Sequence, residues 1–152
     1  MLANWDAIIA LLPVLRRHRV YDEKELNRLT VSTSQRRLLN TDESSNEGQL
    51  QGIWQSIPRK LRDDETLVQT YIQQLQSTGQ DKAAADLIRN VVRKRWDESL
   101  VLMYGTLDLP IKENAMGTAE SWIKQHGERP TALLTAARLC AKNELWGRAR
   151  SY

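Results

Sequence analysis

The 152-residue chain has no phenylalanine, one cysteine, two histidines and four prolines. A single cysteine, Cys140, excludes an internal disulfide framework and leaves the redox compartment open. No cysteine–histidine cluster has zinc spacing. There is no glycine-rich phosphate loop and no Gly-x-Ser-x-Gly elbow. His18 lies in a basic run and His126 at a helix end, so acid–base catalysis has little to stand on. No run of 18 apolar residues occurs, so no segment is expected to span a membrane. Asn4 and Asp6 interrupt any apolar stretch at the start, and the basic residues follow it, which fits neither a signal nor a transit peptide. The formal charge of +3 is too small to hold nucleic acid by itself. With 27% charged and 41% apolar residues the composition is that of an ordinary water-compatible domain. Scarce proline and little β-branched alternation point to an all-helical chain.

The organising stretch is Glu65 to Glu98, 34 residues long. Leu67, Tyr71, Ile72 and Leu75 fall on one helical face. Gly79 breaks the helix, and Asp81 stands where an N-cap is expected. A second helix follows, with Ala84, Leu87, Ile88, Val91 and Val92 as its apolar stripe. Ala84 is small where two helices must approach. Length, turn and small residue match the tetratricopeptide (TPR) pattern. Such a unit cannot bury its stripe alone, so neighbours must stack on it.

The rest of the chain supplies candidate neighbours. Leu2 to Arg17 carries Trp5, Ile8, Ile9, Leu12 and Leu15 at helical spacing, with Pro13 expected to kink or end the helix. Arg16-Arg17-His18-Arg19 is a basic last turn that suits the helix dipole. Asp22 to Leu39 reads as a helix with Leu26, Leu29, Leu38 and Leu39 apolar. Its Thr30–Ser34 middle is a poor helix former, prone to fray unless packing holds it. Asn40 to Gly48 reads as a loop. Leu50 to Ile57 is a short helix closed by Pro58. Asp63-Asp64-Glu65 reads as a cap rather than a catalytic acid pair. Ser99 to Leu107 is a helix in which Gly105 permits a close approach. After an interruption at Asp108–Ile111, Lys112 to Gln125 is its partner, with Ala115, Ala119, Trp122 and Ile123 inward, and Gly127 ends it. Pro130 opens the next helix, with Leu133, Ala136, Ala137 and Cys140 inside. Asn143-Glu144 is a turn before a further helix with Leu145, Trp146 and Ala149. Trp5, Trp54, Trp122 and Trp146 are expected in the core between repeats; Trp96 follows a basic run and stands apart.

The fold expected is an all-α, TPR-like right-handed superhelix of antiparallel helix pairs. It would form a single domain over 1–152, with units near 22–63, 65–98, 99–129 and a partial one at 130–152. First helices of such a stack line the concave face. That face would carry Thr66, Gln69, Gln73 and Gln76, then Ser99, Leu102 and Thr106, then Thr131, Leu134, Arg138 and Lys142. The groove is amide-rich and turns basic at one end. Amides suit an extended peptide backbone, and the basic end suits a carboxylate. Arg89, Arg93, Lys94 and Arg95 form a second basic set, a candidate for anionic lipid.

Several segments together resemble the C-terminal TPR region of the HemY family. They are Leu11-Leu12-Pro13-Val14-Leu15, Leu50 through Pro58 with Trp54, Leu67-Val68 through Gly79, Arg95-Trp96-Asp97, Leu102-Met103-Tyr104-Gly105, and Leu139-Cys140 through Arg150. All are packing motifs. The resemblance implies a bacterial inner-membrane protein associated with haem biosynthesis. This chain would be the repeat region of a longer protein anchored by two membrane helices, facing the cytoplasm. It implies a non-catalytic scaffold for late haem-synthesis enzymes, with protein partners, no cofactor and no nucleic acid. Three alternatives stand beside it. One is a TPR adaptor for peptides unrelated to haem. Another is direct haem or porphyrin binding, with His18, His126, Cys140 or a tyrosine as ligand. The third is nucleic-acid binding through Arg16-Arg17, Arg36-Arg37 and the Arg93 cluster.

Overall fold

A helix forms wherever the apolar stripe is strong and a cap or glycine marks its end, and the computed structural model follows that rule. It describes residues 5–18, 22–41, 47–110 and 113–142. These are all-α, with no strand among the described residues. The helices are α1 (Trp5–His18), α2 (Glu23–Leu39), α3 (Glu47–Ser56), α4 (Glu65–Ser77), α5 (Asp81–Lys94), α6 (Glu98–Tyr104), α7 (Ala115–His126) and α8 (Pro130–Lys142), with a 3-10 turn at Arg59–Leu61 before α4. The chain divides into two compact units, Met1–Gly79 and Gln80–Tyr152.

In the first unit, α2 packs against α1, α3 and α4. Pro13 lies inside α1 without ending it. The helix runs on because Leu12 is buried, and that contact outweighs the lost backbone bond. In α2 the expected stripe is only half right. Leu26 and Leu38 are buried, but Leu29 and Leu39 are exposed. The buried places go to Thr30, Thr33 and Ser34. Their small side chains let neighbouring helices come close, and their hydroxyls turn inward on the helix. Thr30 Oγ1 donates to the Leu26 carbonyl and Thr33 Oγ1 to that of Leu29, each at 2.6 Å. The weak helix former is thus held by packing. On α4, Leu67, Val68, Tyr71, Ile72 and Leu75 are buried, and the Tyr71 ring stacks on Trp54 of α3 at 4.3 Å. Asp64 caps α4 by accepting the Leu67 N–H at 3.2 Å.

In the second unit, α6 packs on α5 and α8, and α7 on α8. Gln80, not Asp81, occupies the N-cap position of α5. The Asp81 carboxylate instead accepts the Asp108 N–H at 3.1 Å, tying down the segment after α6. Asp97 caps α6 through the Leu100 N–H at 3.1 Å. The partner helix α7 begins at Ala115; Lys112, its expected start, lies outside the described residues. Asn114 adopts a positive φ of 49° and caps Gly117, which fixes the start there. Gly127 ends α7 at φ 83°, a conformation that favours glycine. A Cβ on Gly105 would lie 3.2 Å from Thr135 Cα, so the expected close approach is made by α8. Thr135 Oγ1 donates to the Val101 carbonyl at 2.8 Å across the same contact. Cys140 is fully buried beside Met116, as a small apolar side chain would be.

Helices α2 and α4 in the first unit, and α6 and α8 in the second, run in the same direction. Glu23, opening α2, meets Lys60, just before α4; farther along, Gln35 meets Thr70. Arg129, just before α8, meets Glu98 at the start of α6. At the other end Lys142 reaches Thr106. The turn at Asn143-Glu144, Leu145, Trp146 and Ala149, and the side chains of Trp5 and His18, lie outside the described residues.

Candidate functional site

The sequence singled out α5 for its basic residues and α7 for His126 and Trp122, without connecting them. In the second unit these two helices face each other across a cleft of about 380 Å³. Its lining follows from helical spacing. Arg89, Val92 and Arg93 are three and four apart on α5, and Thr118, Ser121, Trp122, Gln125 and His126 repeat the same spacing on α7. Val92 and Trp122 are buried and make the apolar part of the wall. Tyr104 of α6 is fully buried behind it, its ring 4.9 Å from Trp122.

Arg89 is held rigidly. Its guanidinium donates to Asp86 Oδ1 at 2.5 Å and to the Tyr104 hydroxyl at 3.3 Å, and Glu113 lies 3.9 Å away. Burial opposes the charge, but the bonds to Asp86 and Tyr104 outweigh it and raise the pKa above the usual arginine value. Arg93 is exposed and donates to Asn90 Oδ1 at 3.2 Å. It has no carboxylate partner among the described residues. No carboxylate lines the cleft. His126 sits against Trp96, with ring centroids 4.3 Å apart. Trp96 meets Trp122 edge-on at 6.4 Å and carries the Arg129 guanidinium over its face at 5.6 Å. Trp96 thus fixes both the end of the cleft and its histidine. The cleft can accept negative charge and hydrogen-bond neutral groups. Among the described residues no group of three His, Cys, Asp or Glu could hold a metal, and no helix is long and apolar enough to cross a membrane.

The expected groove residues divide between the two units. Thr66, Gln69, Gln73 and Gln76 lie on α4 of the first; Thr66 and Gln73 are exposed, and Gln69 donates to Glu65 at 3.1 Å. In the second, Ser99 and Leu102 lie on α6, Thr106 just after it, and Thr131, Leu134, Arg138 and Lys142 on the adjacent α8. Two of these meet directly. Lys142 Nζ donates to the carbonyls of Thr106 and Leu107 at 2.7 and 2.8 Å, completing the end of α6. Its ammonium is therefore committed to structure, and Arg138, which is exposed, carries the basic end.

Sequence reasoning missed Thr118, Ser121 and Gln125. Their spacing on one face was a visible signal, but only the placement of α5 opposite α7 gives it meaning.

No family model, curated protein or solved structure matches the chain.

Proposed function

We propose that this chain is a non-catalytic protein-interaction scaffold of the TPR type, its helix pairs winding into a right-handed superhelix. The observation that carries the reading is that one pair of alternate helices in each unit, α2 with α4 and α6 with α8, runs parallel and side by side. Tandem antiparallel pairs produce that relation, and they present rows of side chains suited to an extended partner. The HemY-like segments add the setting: the cytoplasmic face of the bacterial inner membrane, with late haem-synthesis enzymes as partners. Each unit supplies its own recognition surface: amides on α4 for peptide backbone in the first, and α6 with Arg138 of α8 for a carboxylate in the second.

The test is binding of purified late haem-synthesis enzymes to the full chain, read by co-purification and titration. The double variant Gln73→Ala, Arg138→Glu is expected to weaken binding about tenfold or more, the scale of one lost charge-assisted contact. Enzymes that do not bind at all would remove the haem setting. Binding that ignores both substitutions would place the recognition surface elsewhere.

A further inference from the structure

We infer that the cleft between α5 and α7 binds an extended acidic peptide segment bearing carboxylates at alternate positions. The inference deepens the scaffold reading by assigning a second recognition surface and its ligand. Arg89 and Arg93 are one turn apart on α5, a rise of about 6 Å. Alternate side chains of an extended strand leave one face about 6.6 Å apart. Two acidic side chains separated by one residue therefore match the two guanidinium groups, and a point anion such as phosphate uses only one.

The opposite wall has a matching length. From Thr118 to His126 the lining covers about 12 Å of α7, which spans three to four extended residues. Ser121 Oγ already donates to the Thr118 carbonyl at 2.7 Å, so its oxygen can only accept, as a peptide N–H requires. Gln125 offers both a donor and an acceptor to the same backbone. Arg89 donates to Asp86 and Tyr104 and has Glu113 3.9 Å away, so its charge is largely matched and it serves a ligand carboxylate through its remaining N–H donors. Arg93 lacks a carboxylate partner among the described residues and supplies the larger share of the attraction.

The experiment titrates the full chain with a blocked pentapeptide carrying glutamates at its second and fourth positions, followed by calorimetry. The counterpart with glutamines at those positions is the control. The glutamate peptide is expected to bind at least tenfold more tightly, and added salt to weaken it. Arg93→Ala should cost about tenfold and Arg93→Lys less, since lysine keeps the charge without the planar fork. Circular dichroism checks that both variants fold, and Lys24→Ala, on an exposed position of α2 in the first unit, should bind as the parent does. Equal binding of the two peptides, no binding of either, or an Arg93→Ala variant that binds undiminished would overturn the inference. So would inorganic phosphate or phosphatidylglycerol vesicles that occupy the cleft as well as the peptide does. The enzyme-binding assay on α4 and α8 is scored independently, so either reading can fail alone.

Discussion

The two units use the same helix arrangement to leave very different hollows. Among the hollows of the first, α1, α2 and the end of α3 leave a small one of about 150 Å³, walled by Ile9, Leu12, Pro13 and Pro58, with Thr30, Ser34 and Ser56 as its hydroxyl residues. Thr30 and Ser34 are buried, and Thr30 spends its proton on its own helix. Arg16 is the one charge in that lining. In the second unit, α5 and α7 leave a larger cleft walled by two arginines, two hydroxyls, an amide and an imidazole. Helix packing decides where a hollow falls. What it can hold depends on which side chains the sequence places at those positions: the first combines apolar walls with hydroxyls and one arginine, and the second sets two arginines opposite an amide and an imidazole.

The comparison breaks most sharply at Tyr104. Its side chain is fully buried, touches Trp122 and positions Arg89. Tyr104→Ala removes a large ring that nothing nearby can replace, and should cost about 3–5 kcal/mol in urea unfolding. Amide exchange should place the loss within residues 80–152 and leave protection in 1–79 unchanged. An equal loss of protection in both units would mean that they unfold as one body. The same variant should also disturb the cleft, because it removes the hydroxyl that steadies Arg89.

Caps test whether the units are built by the same local rule. Asp64 and Asp97 each precede a helix by one residue and accept an N–H three residues on, at 3.2 and 3.1 Å. Asp64→Ala and Asp97→Ala should therefore cost similar amounts, about 1 kcal/mol each. Chemical denaturation of the two variants checks this. Asparagine at either position should recover most of the loss, because its side-chain oxygen caps without a charge.

Legibility in the sequence followed the strength of the local signal. The buried face of α4, Ala84, Ile88 and Val92 on α5, the Asp64 cap and the start of α8 at Pro130 are all readable, since each rests on a stripe, a cap or proline chemistry that acts within a few residues; Leu87 and Val91 of the α5 stripe are only half-buried, and Ala85 is buried instead. Errors arose where tertiary contacts override local preference. Pro13 does not end α1, which runs on to His18 with Leu12 buried. Leu29 and Leu39 are among the apolar residues of α2, yet both are exposed and Thr30, Thr33 and Ser34 are buried, because close packing there favours small side chains. Asp81 had the chemistry of a cap but a better use across the loop at Asp108. At the cleft, Arg89, Arg93 and His126 were each visible as residues. Their common wall was not, because it depends on two helices separated by α6, and no periodicity within one helix reports that.

The smallest effect belongs to an exposed pair in the first unit and sets it against the held arginine of the second. Lys60 Nζ lies 2.5 Å from Glu23 Oε1, with both side chains largely in water. The hydrogen bond from Lys60, and then its charge, lower the Glu23 pKa below 4.5. A carboxyl whose folded pKa is depressed stabilises the fold above its unfolded pKa and loses that contribution as pH falls through the folded value. The stability difference between the parent and Glu23→Gln should therefore be present at neutral pH and vanish below the usual glutamate range. Salt should shrink it at neutral pH, because the pair is exposed to screening. Lys60→Met should return the Glu23 carboxyl to its ordinary titration, read by NMR. Arg89 stays charged throughout this range, so the α5–α7 cleft keeps its field when the Glu23–Lys60 pair has lost its own. A Glu23 titration unmoved by Lys60→Met would show that this pair does not form in solution.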